Sequence, residues 1–493
     1  MHRFLLLAWT WNLAAWVLTA GCSESTCEDL GNCAPADPSA DGGVDVAPPN
    51  CLLDKDPAES PACIDERVGI FVAPSPAGSD TNPGTRGQPM ATIQGALAKA
   101  AGSKPRVYVC GGTYAENVLI DTGKSISIYG GFACTDWNPS AKLPVTVAPA
   151  SRIPLTVRAS HVTVADIAFL APRGIAGEPS SIAAIVQNAQ KVVLERLTLT
   201  AGDAANGADA QGLVDPARAE KGNDASGTTG GSAQPAGSLF TCTNGSGTTQ
   251  GGAGGSAGGE GRSGEPFGVY DGGPPGPDQR TGAGGAGGVG GTTSCGRNGA
   301  HAPSGVTGSG ATRLGAIQGG VWIPQDGAPG SMGKAGQGGG GGGGGESGGA
   351  GGGGGAGGCG GGAGGAGKGG GGSIALVSVS SGVTIAGGKL LAKAPGNGGK
   401  GGAGQKGQIG GFGGSAAMGG CQGGVGGNGG QGGPGGGGAG GVSAGILYVG
   451  LRPSTEADPV ITTADKGGAG GAGGLPGAND GMTGQAGSII PVP

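Results

Sequence analysis

The sequence has little charge, few aromatic rings and almost no histidine. Charged residues make up 12% of the 493 residues, aromatic residues make up 3%, and there are 3 histidines. The formal net charge is −5 and no basic block occurs, which excludes electrostatic binding of nucleic acid. His161 and His301 have no nucleophile and carboxylate at a recognisable motif spacing. A hydrolase of the triad type is therefore not predicted.

Long apolar runs are also missing, with one exception at the N-terminus. Residues 1–21 combine Arg3 with an apolar stretch from Phe4 to Ala20, a pattern typical of a secretory signal. No later run approaches the length of about 18 apolar residues that a membrane-spanning helix needs. The exported chain is therefore not predicted to span a membrane.

The end of this signal, Thr19-Ala20-Gly21-Cys22, resembles a bacterial lipobox. The resemblance implies cleavage before Cys22 and thioether lipidation of its sulfur. Because Ser23 rather than aspartate follows, it also implies an anchor in lipid of the outer membrane and a surface-exposed protein of the cell envelope. Thr19 departs from the lipobox, which prefers leucine there. A plain secretory cleavage or a retained membrane anchor is the alternative.

Ten cysteines remain after Cys22, an even number that suits an oxidising compartment. No CxxC or Cys/His spacing occurs, so neither a metal site nor a cofactor is predicted. Connectivity does not follow from spacing alone, and sequential pairing is the simplest expectation. The neighbouring couples are Cys27 and Cys33, Cys51 and Cys63, Cys110 and Cys134, Cys242 and Cys295, and Cys359 and Cys421.

Short apolar runs separated by turn residues predict β-strands over much of residues 67–200. One helix is predicted over Thr92–Ala101, where apolar residues recur at helical spacing. The predicted strands lie at 68–72, 106–110, 118–120, 126–128, 145–147, 155–157, 162–164 and 167–169.

The phrases Gly78–Thr85, Ala91–Gln94, Gly112–Tyr114 and Ile128–Phe132 carry a family resemblance. They resemble the opening of exported right-handed parallel β-helix proteins of the pectin-lyase-like superfamily, and more narrowly DUF1565-type modules. The resemblance implies an all-β solenoid. Stacked coils lie ~4.8 Å apart, which a disulfide tolerates. Because Cys110 and Cys134 are about one coil apart in such a solenoid, we expect them to staple two coils.

An internal repeat indicates that the solenoid continues beneath the glycine-rich half. Similar phrases begin at Ser181, Ser373, Val442 and Ser488, and the first three lead into long glycine-rich stretches. The predicted organisation is a signal (1–21), a tether (22–65), a cap with the first coils (66–202), single coils (373–395 and 442–465), two glycine-rich insertions (203–372 and 396–441), and a third insertion with a terminal strand (466–493).

Glycine contributes 127 residues, and its tracts have a period of three. Non-glycine residues recur at Gln422, Val425, Asn428, Gln431 and Pro434. This period is that of an extended left-handed three-fold helix, so the tracts are predicted to form polyglycine-II-like bundles. They look like the repeats of PGRS-type surface proteins. The alternative is a flexible solvated loop, which the unbroken run Gly338–Gly345 favours locally.

The superfamily includes polysaccharide lyases and hydrolases, which cluster acidic residues around the reaction centre. Asp121, Asp136, Asp166 and Glu195 are single and scattered, so no catalytic residue is predicted. The sequence favours a non-catalytic, lipid-anchored structural or adhesion protein that contacts extracellular polysaccharide or other surface proteins. A polysaccharide lyase, a glycoside hydrolase or a carbohydrate-binding protein is the alternative, and surface adsorption to ice is a weaker one.

Overall fold

The computed structural model describes residues 47–100, 104–121, 123, 125–140, 142–151, 153–235, 240–266, 285–291 and 294–492. The predicted signal, the lipidation site Cys22, and the cysteines Cys27 and Cys33 lie outside the described residues.

Almost all regular structure consists of short strands. The one α-helix among the described residues, α1, spans Ile93–Ala100, close to the predicted bounds. A 3-10 turn spans Pro61–Cys63. The strands are, in chain order, β1 (Gly69–Val72), β2 (Arg106–Cys110), β3 (Gly112–Tyr114), β4 (Val118–Ile120), β5 (Ile126–Phe132), β6 (Val145–Val147), β7 (Leu155–Val157), β8 (Val162–Ala165), β9 (Ile167–Leu170), β10 (Ser181–Gln187), β11 (Val192–Glu195), β12 (Thr198–Thr200), β13 (Phe240–Thr241), β14 (Thr248–Thr249), β15 (Gly315–Gln318), β16 (Val321–Pro324), β17 (Ser373–Val379), β18 (Val383–Ala386), β19 (Lys389–Leu391), β20 (Ser443–Val449), β21 (Ser454–Glu456), β22 (Val460–Thr462) and β23 (Ala486–Pro491).

The strands form three parallel sheets that the chain visits in turn. Sheet 1 has the order β1-β2-β5-β8-β11-β18-β21. Sheet 2 has the order β3-β6-β9-β12-β19-β22, and sheet 3 has the order β4-β7-β10-β17-β20-β23. Two small antiparallel pairs, β13–β14 and β15–β16, lie outside these sheets. The predicted all-β class with mostly parallel pairing is therefore confirmed.

Inward side chains stack in register from strand to strand. Val162, Val192 and Val383 are partners in sheet 1, and all three are buried. Burying each such side chain stabilises the fold by about 1.5–3 kcal/mol relative to leaving it exposed. Helix α1 buries Ile93 and Leu97 at the N-terminal end of the same core.

The repeated serine phrases stack on one another, as the internal repeat predicts. Ser181 pairs with Ser373, and Ser373 pairs with Ser443. The Ser373 Oγ donates a hydrogen bond to the Gly202 carbonyl and accepts one from the Lys393 amide, both at 2.8 Å. Each buried hydroxyl thus holds the backbone, through hydrogen bonds, at the point where the chain leaves the sheets for a glycine-rich stretch.

A hairpin inside the long stretch after residue 202 was not predicted. Strands β15 and β16 pair antiparallel, and Trp322 of β16 is buried in a cluster with Ile185, Ile374 and Val377. The signal for it is the apolar content between Leu314 and Ile323, which the surrounding glycine obscures. The hairpin fastens the middle of the stretch to sheet 3.

Candidate functional site

A groove of about 530 Å³ opens beside the turn that joins sheet 1 to sheet 2. One side is formed by the segment Asp56–Glu59, which lies near the N-terminal end of the described chain. The floor and the other side include Tyr129–Phe132, Asp166–Ala168 and Arg196. The groove therefore holds several charged groups, namely Asp56, Glu59, Asp166 and Arg196.

The groove brings together carboxylates that are scattered in sequence. Asp166 and Arg196 follow the paired residues Ala165 and Glu195 and occupy stacked turns, with φ of 58° and 50°. The Arg196 Nη2 lies 2.5 Å from Asp56 Oδ2 and 2.6 Å from Asp166 Oδ2. Its Nη1 bonds to Glu195. Sequence reasoning named Asp166 and Glu195 but missed Asp56 and Arg196, because no sequence motif joins them.

The Arg196 guanidinium therefore forms ion pairs with three carboxylates. Burial raises the pKa of the Glu195 carboxyl, while Arg196 acts to lower it. The hydrogen bond to Asp166 raises the pKa of Arg196 in return. Nε, Nη1 and Nη2 of Arg196 all donate to these carboxylates, which leaves the cluster with a net charge of −2. Asp56, Asp166 and Glu195 are thus each held in an ion pair with Arg196.

The other two acidic residues named from the sequence, Asp121 and Asp136, do not line the groove. Asp136 accepts a hydrogen bond from the Asn138 amide. Asp80 accepts hydrogen bonds from the Ala91 and Thr92 amides just before α1. Asp121 is exposed at the end of β4. Within the described ranges, no group of three or more His, Cys, Asp or Glu side chains is arranged to hold a metal ion.

His161 sits at a turn with φ of 59°, directly before β8. His301 lies on a glycine-rich stretch described below. In the part of the chain that the structure describes, no helix combines the length and apolarity needed to cross a bilayer.

The glycine-rich stretches run outside helix and strand as extended tracts, which we number in chain order. The tracts are tract 1 (203–225), tract 2 (294–311), tract 3 (326–345), tract 4 (349–372), tract 5 (394–417), tract 6 (420–441), tract 7 (466–474) and tract 8 (479–485).

Backbone hydrogen bonds join these tracts at intervals of three residues. Gly358, Gly361 and Gly364 of tract 4 donate to Gly427, Gly430 and Gly433 of tract 6, each at 2.9 Å. Tract 6 in turn donates to tracts 3 and 5, and tract 3 donates to tract 4. The peptide groups of the inner tracts are therefore satisfied by other tracts rather than by water.

The close approach of these backbones requires glycine. A Cβ atom at Gly429 would lie 2.0 Å from the Cys359 carbonyl oxygen, and one at Gly342 would lie 1.9 Å from that of Cys421. The run Gly338–Gly345 is buried throughout. Its eight consecutive glycines fit a tract that faces other backbones on every edge.

Side chains replace backbone acceptors at the outer edge of the bundle. Asp209 Oδ1 accepts a hydrogen bond from the Lys400 amide at 2.7 Å, and Asn206 Oδ1 accepts one from the Asn397 amide at 2.8 Å. Sequence reasoning missed this ladder, although an acidic or amide residue recurs at multiples of three after Asp203. The full set of acceptors on tract 1 is Asp203, Asn206, Asp209, Asp215 and Asp224.

Disulfides reinforce both parts of the molecule. The structure joins Cys51 to Cys63, and Cys110 to Cys134 with a Cα–Cα distance of 5.1 Å. Sequential pairing of the remaining four cysteines was wrong: Cys242 bonds to Cys359, and Cys295 bonds to Cys421. Tracts that are distant in sequence lie side by side. Each of these cysteines therefore bonds to a cysteine on an adjacent segment of the fold rather than to the next cysteine in the sequence.

Comparisons with known proteins return no match: no family model fits the chain, and neither a curated protein nor a solved structure is significantly similar to it.

Proposed function

We propose that the protein is a non-catalytic, lipid-anchored surface protein of a bacterial envelope, built to hold a rigid glycine-rich body away from the membrane. In this proposal a right-handed parallel β-helix carries polyglycine-II-like insertions. The order of the three parallel sheets supports the β-helix, since successive strands pass from sheet 1 to sheet 2 to sheet 3 and then return.

The observation that carries the proposal is the hydrogen bonding among the tracts. A solvated loop would leave its peptide groups to water, whereas the Gly361 amide bonds to Gly430 and the Gly430 amide bonds to Lys334. At the ~3.1 Å rise per residue of an extended three-fold helix, tract 4 would project roughly 70 Å. A projection of this length, with backbone packing and low charge, suits structural or adhesive display.

The anchor is tested by lipid labelling of the full chain in a bacterial host. Wild type is expected to incorporate radioactive palmitate, and Cys22→Ala is expected to lose the label. Protease treatment of intact cells should then degrade the wild-type chain from outside. Equal labelling of both chains, or complete protection from the protease, contradicts the proposal.

Polysaccharide cleavage is the competing function, because the groove does gather Asp56, Asp166 and Glu195. Their shared partner Arg196 argues against it, since each carboxylate is held in an ion pair. We expect no unsaturated product and no new reducing ends from uronans, xylan or cellulose. Product formation that is lost in Asp166→Asn would favour the enzyme instead.

A further inference from the structure

Tracts 7 and 8 cover only the part of tract 6 that lies nearest the sheets. The Gly437 and Gly440 amides of tract 6 donate to the Asn479 and Met482 carbonyls of tract 8, at 3.0 and 2.9 Å. A Cβ atom at Gly437 would lie 1.9 Å from the Gly471 carbonyl oxygen of tract 7. Glycine is therefore required wherever this edge of tract 6 is covered.

Side chains begin on the same edge where the cover ends. Counting back from Gly437 in steps of three gives Pro434, Gln431, Asn428 and Val425, which are exposed or half-buried. The neighbouring parts of tracts 2 and 5 are open as well. We call this surface the shelf and define it as residues 298–307, 403–415 and 422–434.

The shelf carries hydrogen-bond donors of fixed orientation. Asn298 Oδ1 accepts from the Val425 amide at 2.9 Å, and Asn428 Oδ1 accepts from the Gly410 amide at 3.0 Å. His301 Nδ1 accepts from the Asn428 amide at 2.8 Å, so the neutral ring carries its hydrogen on Nε2. With each acceptor atom held by backbone, the Nδ2 groups of both asparagines and the Nε2–H of His301 remain to donate to a ligand.

The rest of the shelf is partly apolar. Arg218, a cation that borders it, is engaged internally: its guanidinium donates to the Gly410 carbonyl and lies 4.2 Å from the centre of the Phe412 ring. Lys406 is 3.2 Å from Asp215, which offsets its charge. Ile409 and Phe412 are 48% and 54% exposed. A partner that complements this surface offers acceptor oxygens together with apolar C–H faces and carries no charge. Pyranose rings linked in a neutral polysaccharide have this chemistry.

We propose that the shelf binds a neutral polysaccharide through the donors of Asn298, His301 and Asn428, with Ile409 and Phe412 as apolar contacts. This inference rests on the proposed function and names the material that the displayed body contacts. Asp215 and Asp224 next to the shelf are paired with Lys406 and Lys221, so neither these carboxylates nor their lysines favour an acidic polysaccharide.

The test measures retention of the full chain, purified in detergent, on cellulose, chitin, dextran, starch, alginate and polygalacturonate. The decisive variant is Asn298→Asp with Asn428→Asp, because a carboxylate keeps the acceptor for the Val425 and Gly410 amides but removes the outward donor. Asn206→Asp is the matched control: it adds one charge at a similar backbone contact on tract 1, away from the shelf.

We expect wild type and Asn206→Asp to be retained by at least one neutral polysaccharide, and the double variant to bind about tenfold more weakly. The Gln431 side chain makes no hydrogen bond within the described residues, so Gln431→Glu replaces an outward donor of the shelf without a risk of unfolding. We expect this variant to bind more weakly. Retention on none of the neutral polymers, stronger retention on the uronans, or equal binding by wild type and the double variant overturns the proposal. Palmitate labelling and protease access are independent of these results, so the two proposals fail separately.

Discussion

The Ser373 hydroxyl donates to the Gly202 carbonyl at 2.8 Å, although 171 residues separate the two in sequence. It also accepts a hydrogen bond from the Lys393 amide. One buried side chain therefore joins the point where the chain leaves the sheets for one glycine-rich stretch to the point where it leaves for the next. The equivalent Ser443 hydroxyl bonds to the Lys393 carbonyl and the Ala464 amide in the same way.

Replacing Ser373 by alanine should destabilise the protein, because it leaves two buried backbone groups unpaired. We expect the free energy of unfolding to fall by about 2 kcal/mol. Urea denaturation followed by circular dichroism measures it.

Ser378 provides the control within the same strand. It is also fully buried, but its Oγ has no hydrogen-bond partner among the residues that the structure describes. Ser378→Ala removes an unsatisfied polar group, so we expect unchanged or raised stability. Equal losses in the two variants would show that the Ser373 hydrogen bonds contribute little.

Close contact between tracts predicts a second contrast, between two glycines. Gly429→Ala would place a Cβ atom 2.0 Å from the Cys359 carbonyl oxygen, whereas at Gly212 nothing lies within 4 Å of the added atom. We expect Gly429→Ala to lower the free energy of unfolding by about 1–3 kcal/mol. Gly212→Ala should leave it unchanged or raise it slightly, because alanine restricts the unfolded chain. Similar unfolding midpoints for both variants would mean that the tracts are not packed.

Much of the sheet architecture follows from local sequence. Alternating apolar residues such as Val145 and Val147 define their own strand, and the serine phrases at 181 and 373 align without any knowledge of the residues between them. The pairing of Cys242 with Cys359 could not be predicted, because it depends on which tracts become neighbours. A composition that is nearly uniform does not specify that choice.

The charged groove shows the same limit. Asp166 and Glu195 are visible as isolated residues, but their shared ion pair with Arg196 depends on the stacking of two turns. Asp56 belongs to a segment that lies 140 residues before Arg196 in the sequence. Periodicity identifies elements, whereas a site assembled by long-range packing has no local signal.

Glu116 should make stability depend on pH. Its carboxylate accepts hydrogen bonds from the Ile93 and Gln94 amides at the start of α1, at 2.8 and 2.9 Å. Burial raises the pKa of Glu116 above its ordinary value of 4.5. Because the folded pKa is the higher one, the stability linked to protonation is present below the unfolded pKa. It is lost as the pH rises through the folded pKa.

Glu116→Gln cannot ionise, so the free energy of unfolding of wild type should fall relative to this variant as the pH rises above 4.5. Urea midpoints measured between about pH 4 and pH 8 provide the comparison. Glu220→Gln, which removes an exposed carboxyl on tract 1, serves as the control for the general effect of removing one carboxyl. A constant difference between wild type and Glu116→Gln across this range would contradict the assignment.

The shelf side chains also prevent a further glycine tract from packing on this edge of tract 6. Near the sheets, the outward amides of Gly437 and Gly440 bond to another tract, whereas the corresponding amides of Val425 and Asn428 bond to Asn298 and His301. Those side chains take the place of the next tract, much as charged residues and proline blunt the edge of a β-sheet.

Replacing Asn298, His301, Val425 and Asn428 by glycine should therefore open the shelf to a glycine tract of a second copy. We expect concentration-dependent association of this variant in sedimentation velocity. The matching alanine set frees the same amides but keeps a Cβ atom at each position, so it should sediment like wild type. Identical sedimentation of the glycine and alanine sets would mean that side-chain bulk does not prevent a further glycine tract from packing on the shelf. The edge would then have to be protected by the polar character of its residues instead.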